Sequence, residues 1–144
     1  MNWKSEAIQK LKEYEARKAA LLSLPEEIKR LESAAQSIRA ASADATPVSG
    51  GGSRREDMLL SNIVLREELS RKIVQNKRWI SAVDRSVSAL SQEEYRVLEL
   101  MYIHRIQNAV DSLCGELHIE KPTVYRRRDE ALHKFTIAFY GIDL

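Results

Sequence analysis

Apolar residues recur at helical spacing almost from the first position of the chain. Trp3, Ala7, Ile8, Leu11, Tyr14, Leu21 and Leu22 fall along one side of a helix over residues 2–22, with the stem of Lys18 filling a gap in the stripe. Pro25 interrupts this pattern. Ser23 followed three residues later by Glu26 has the form of a capping box, so a kink or short break is predicted at Ser23–Pro25. A restarted helix would then run through Ile28, Leu31, Ala35 and Ile38 to about Ala41. Residues 42–54, SADATPVSGGGSR, hold Pro47 and Gly50–Gly52 and read as a flexible linker. The next stripe is Leu59, Ile63, Ile73, Ile80, Val83, Val87 and Leu90, which predicts a helix from about Arg55 to Val87. At ~1.5 Å per residue that helix is roughly 50 Å long. Two stripes of similar length joined by a flexible loop predict an antiparallel, coiled-coil-like helical hairpin over residues 1–88. Neither stripe stays dry alone, so each pairs with the other or with a second copy of the chain.

The pattern shortens after Leu90. Ser91 and Glu94 form another capping box, opening a helix whose apolar contacts are Tyr95, Val97, Leu98, Met101 and Tyr102. A break is expected around His104–Gln107, and Asn108 is placed as the N-cap of a short helix containing Val110, Leu113, Cys114 and Leu117. His118-Ile119-Glu120 then turns the chain into a last helix over about residues 121–140. A short helix, a turn and a second helix form the helix-turn-helix plan, which assigns residues 89–144 to a DNA-binding domain. Pro122 suits the first turn of the last helix, where its missing amide would have had no partner. Cys114 is expected to be small and buried where two helices approach, and His118 is expected at the left-handed turn position, which His tolerates better than most residues. Projected at 100° per residue, Val124, Ala131 and Phe135 share one side of the last helix, with Pro122, Arg126, Asp129 and His133 opposite.

Composition agrees with an all-α chain. Of 144 residues, 44 % are hydrophobic and 31 % charged, with only five glycines and three prolines. The net charge of +2 selects no partner by itself, but its distribution is informative. Residues 1–88 hold sixteen Lys/Arg against twelve Asp/Glu, and residues 89–144 hold seven against nine. Within residues 121–134, five cations face only Asp129 and Glu130, concentrating positive charge on the last helix. One cysteine, Cys114, leaves no internal disulfide and no Cys-based zinc cluster, which suits a reducing cytoplasm. There is no apolar run at the start and none long enough for a bilayer, so no membrane association is expected. His104, His118 and His133 lack metal-ligand spacing, and Gly50–Gly52 lacks the strand and the Lys-Ser/Thr of a phosphate loop. Neither a cofactor nor catalysis is expected. Trp3 and Trp79 are expected to anchor the packing of the hairpin.

Two stretches, LSQEEYRVLELMY and AVDSLCGELHIEKPTVYRRRDEALHKF, carry a family resemblance. They resemble region four of bacterial sigma factors, and more closely phage late-transcription regulators of the ArpU/RinA type. Over residues 90–136 the most specific elements are Leu90-Ser91-x-x-Glu94 with Val97-Leu98, and Thr123 to Arg128 ending in Ala131-Leu132. The resemblance implies that the last helix enters the major groove of double-stranded DNA. It places Lys121, Pro122, Thr123, Tyr125 and Arg126 at contact positions, with Arg127 beside them. Arg126 is the candidate for bidentate base contact, and Lys121 for phosphate or base. Pro122 stands where sigma factors have an acidic base reader, so their promoter preference does not carry over. Arg127 stands where they have a core aliphatic residue, and is expected to rotate the helix slightly or to extend its head into solvent. The expectation is a sequence-specific transcriptional regulator encoded by a phage or prophage, with RNA polymerase and a second copy of the chain as further partners. Two alternatives stay open: a DNA-packaging recognition subunit of the small-terminase kind, and a polymerase or anti-sigma interaction protein that reads no DNA.

Overall fold

The computed structural model describes residues 2–43 and 51–141. Among these the chain is helical throughout, with no strand. Helix α1 spans Trp3–Ala43 and α2 spans Gly51–Ser88; α3 is Gln92–Leu98, α4 Ala109–Leu117 and α5 Lys121–Tyr140. Between α3 and α4 the chain continues as a π-helical turn, Glu99–Ile103. The chain divides into two compact units, one made of Lys18–Lys77 and the other of Met1–Arg17 with Arg78–Leu144.

Two sequence expectations are corrected in the long helices. The predicted break at Ser23–Pro25 does not occur, because Pro25 lies inside an unbroken α1. A proline in a helix interior removes one amide donor, here the one that would reach the Leu21 carbonyl, while the turns on either side keep their own bonds. Ser23 does not act as a cap; its Oγ donates instead to the Ala20 carbonyl at 3.3 Å. The linker is also shorter than expected, since α1 continues to Ala43 and α2 begins at Gly51. Each glycine costs about 1 kcal/mol in a helix, but extending a formed helix gains a hydrogen bond per residue, so the helix runs into them. The rest of the predicted linker, residues 44–50, lies outside the described residues.

In the Lys18–Lys77 unit Ile28 and Glu32 line a groove with Ile63 and Arg66, and Leu31 and Ile38 another with Met58 and Leu65. Residue numbers fall along α2 as they rise along α1. Asn62, buried, donates from Nδ2 to the Leu31 carbonyl at 2.8 Å and accepts from Arg66 Nε at 2.8 Å. Among the described residues of this unit only Ala35 and Asn62 are buried. Leu22, Leu60, Val64 and Val74 stand exposed, Leu22 at 79 %.

The other unit carries the core. Ala7 and Leu11 of α1, Val83 of α2, Leu98 of α3, Ile103 of the π turn, and Ala131, Leu132 and Phe135 of α5 form one buried cluster. A full side chain of this size contributes about 1.5–3 kcal/mol when buried. Trp3 and Trp79 pack at its edge. Arg17 lies over the Trp79 ring at 4.4 Å, and Tyr14 donates its hydroxyl proton to Asp84. A second cluster, Val97, Leu100, Leu113 and Val124, joins α3 and the π turn to α4 and α5. Cys114 is half-buried at its margin, less enclosed than the sequence suggested, since the fully enclosed position on α4 is taken by Leu113.

Candidate nucleic-acid interface

The site is built from the start of α5 and what flanks it. Ser91 caps α3 as predicted: Glu94 N–H donates to Ser91 Oγ at 3.2 Å, and Ser91 N–H donates to Glu94 Oε1 at 2.9 Å. Lys134 of α5 closes on the same carboxylate at 2.9 Å. Burial alone would raise the Glu94 carboxyl, but the Ser91 amide, the Lys134 ammonium and the Ser91 hydroxyl hold it below the usual carboxylate range. This network ties α3 to α5 and fixes the roll of the last helix.

The turn before α5 follows the sequence in one position and departs from it in another. His118 takes the left-handed conformation, φ 56°, and ends α4 with its amide donating to the Cys114 carbonyl. Asn108 precedes α4 but is itself left-handed, φ 55°, and its side chain caps nothing. With φ positive, Asn108 lacks the extended backbone from which an N-cap side chain reaches the first-turn amides, so the expected cap does not form. At the head of α5, Pro122 sits in the first turn, and the amides of Thr123 and Val124 both reach the Glu120 carbonyl, at 3.0 and 3.1 Å.

On α5 the predicted inner side is inside. Val124, Ala131 and Phe135 are fully buried, joined by Leu132 and Thr136. Lys121, Pro122, Tyr125 and Arg126 are exposed, Tyr125 at 43 %, while Thr123 and Arg127 are half-buried. The six predicted residues are therefore gathered on the first two turns but are not equivalent. Lys121 pairs with Asp111 of α4 at 3.3 Å. Arg127 reaches outward to the carboxylate of Glu93, which reconciles a cation with a position next to the core. The Arg128 guanidinium lies 5.0 Å from the Tyr125 ring centre and 3.0 Å from Asp129. Arg126 has no ion-pair partner among the described residues.

The outward side is not free along its whole length. Asp129 pairs with Lys4 at 3.1 Å, and the His133 ring meets Trp3 edge-on at 5.7 Å. Those two positions, expected to face water, are partly covered by the first turns of α1. The amino-terminal part of the predicted face is the more open.

Two cations that no motif singled out lie beside it. Lys12 of α1 and Arg105 of the loop after the π turn line a cleft of about 880 Å3 together with Lys121 and Tyr125. No sequence signal could have paired them with α5, because their neighbourhood exists only after the core has closed. Arg105 falls in the break predicted at His104–Gln107, which the structure has. Its neighbour His104 bridges Glu15 of α1 at 3.0 Å and Glu99 at 3.2 Å, and these two carboxylates raise its pKa.

Among the described residues, no group of three or more His, Cys, Asp or Glu side chains is placed to hold a metal, and no helix is long and apolar enough to cross a membrane. One protein family, described as a protein of unknown function (DUF1492), matches residues 37–136. No curated protein and no solved structure matches the chain.

Proposed function

The chain belongs to DUF1492, a family of unknown function, and from that premise we propose that it is a sequence-specific DNA-binding regulator of transcription whose reading element is the start of α5. The observation that carries this is the split of α5: Val124, Ala131 and Phe135 are buried while Lys121, Pro122, Tyr125 and Arg126 face solvent. A helix held from behind, with its N-terminal turns exposed and basic, suits insertion into a major groove. The left-handed His118 between α4 and α5, and the likeness of residues 90–136 to sigma region four, favour the helix-turn-helix reading. In it Arg126 is the base reader, Lys121 exchanges Asp111 for a phosphate, and Thr123, Tyr125 and Arg127 contact the backbone or a thymine methyl. The resemblance to phage late-transcription regulators suggests a phage or prophage setting, with RNA polymerase as a further partner. No catalytic step belongs to this reading.

Self-association through the Lys18–Lys77 unit is part of the proposal, favoured by its exposed Leu22, Leu60, Val64 and Val74. Selection of bound fragments from random duplex DNA tests the whole. A defined motif is expected, and Arg126→Ala should lose about 1–3 kcal/mol of discrimination at one base pair while still binding DNA. No enriched motif, together with an Arg126→Ala protein that binds as the parent does, overturns the proposal.

A further inference from the structure

The cleft beside the start of α5 is built by three parts of the chain far apart in sequence. Lys12 comes from α1, Arg105 from the loop after the π turn, and Lys121 and Tyr125 from α5. Asn108 and Asp111, at the start of α4, also line it, beside apolar residues such as Met101 and Val110. Three cations therefore face one hollow that holds a single carboxylate, Asp111, already engaged by Lys121 at 3.3 Å. Lys12 and Arg105 are exposed and have no ion-pair partner among the described residues.

Like charges gathered around a hollow repel one another, and an anion in the hollow relieves that repulsion. The volume of about 880 Å3 corresponds to roughly thirty waters at about 30 Å3 each, which is ample for a stretch of sugar-phosphate chain. Lys121 and Tyr125 belong both to the cleft and to the exposed start of α5. A duplex whose groove receives that start would bring one of its strands across the cleft.

We infer that the cleft seats a phosphodiester strand of the bound duplex, with Lys12 of α1 and Arg105 as phosphate contacts that carry no sequence information. This rests on the DNA-binding reading and adds a contribution from α1 to an interface otherwise confined to the C-terminal helices. Lys12 and Arg105 set affinity and its salt dependence, whereas Arg126 sets sequence preference.

The test measures binding of the full-length protein to the selected duplex and to a scrambled duplex across 50–300 mM salt. In the double variant Lys12→Gln/Arg105→Gln, log affinity against log salt should become shallower by about two, since each phosphate contact contributes about 0.9. The ratio of selected to scrambled binding should be unchanged. Lys12→Arg/Arg105→Lys should keep the parental slope, and matching thermal melts exclude unfolding as the cause. A double variant with the parental slope on DNA that the parent binds overturns the cleft assignment and leaves the DNA reading standing. A parent that binds neither duplex at 50 mM salt overturns both.

Discussion

Single side chains decide how firmly α5 is held in position. Ser91 and Glu94 satisfy each other's backbone amides, and Lys134 adds a charge to the same carboxylate. Ser91→Ala should cost about 1 kcal/mol of stability, read as a lowered melting temperature. Because the folded protein holds the Glu94 carboxyl below its ordinary value, its contribution is complete above the unfolded pKa and disappears as pH falls through the folded one. Glu94→Gln should therefore lower stability at pH 7 and flatten the acid limb of a melting-temperature profile between pH 3 and 6. His104 works in the opposite direction. Glu15 and Glu99 raise its pKa, so its contribution is complete below its ordinary value of 6.5 and is lost as pH rises through the folded value. More than half of its side chain is exposed, which limits the contribution to that of a surface pair, about 0–1 kcal/mol. A small decline in melting temperature as pH rises past 6.5 should be absent from His104→Gln.

At the scale of elements, α1 runs through a proline and α2 starts on glycines, both against local preference. Pro25 remains a cost to α1 because the Leu21 carbonyl has no helical amide opposite it. Pro25→Ala restores that amide and should stabilise the Lys18–Lys77 unit, by up to about 3 kcal/mol, seen as increased helicity and a higher melting temperature. An unchanged melt would mean that the proline is already compensated within the unit. The π-helical turn after α3 has a visible consequence for its surroundings. It accommodates one more residue per turn than the α-helix around it, carrying Ile103 into the main cluster and Leu100 into the second. The same turn leads directly to His104, which reaches α1, and to Arg105, which reaches the cleft.

For the molecule as a whole, the Lys18–Lys77 unit poses the plainest energetic question. Within that unit the helix segments bury only Ala35 and Asn62 among the described residues, and so lack the apolar core on which helical stability in water depends. A second copy covering Leu60 and Val64 would supply it. Light scattering should report a dimer that dissociates on dilution with loss of helicity, and Leu60→Lys/Val64→Lys should shift the protein to monomer. A monomer with undiminished helicity at nanomolar concentration would count against that assembly.

The helical periodicity was legible in the chain because apolar spacing and helix geometry are the same signal read twice. So were the Ser91–Glu94 cap, the positive φ at His118 and the buried side of α5, each of which depends on residues within a few turns of one another. Asn108, Pro25 and Gly51 departed from the roles the local pattern assigned them because single-residue preferences, about 1 kcal/mol for glycine and about 3 kcal/mol for proline, yield to the surroundings of a long helix or a packed turn. What only tertiary structure decided was which distant residues share a neighbourhood. Lys4 and Trp3 partly cover Asp129 and His133, Lys12 and Arg105 meet Lys121, and Glu15 meets His104. Those neighbours follow from burying Ala7, Leu11, Val83 and Phe135 in one cluster. Hydrophobic burial is not directional, so a stripe of apolar residues declares that a face must be covered without declaring by what.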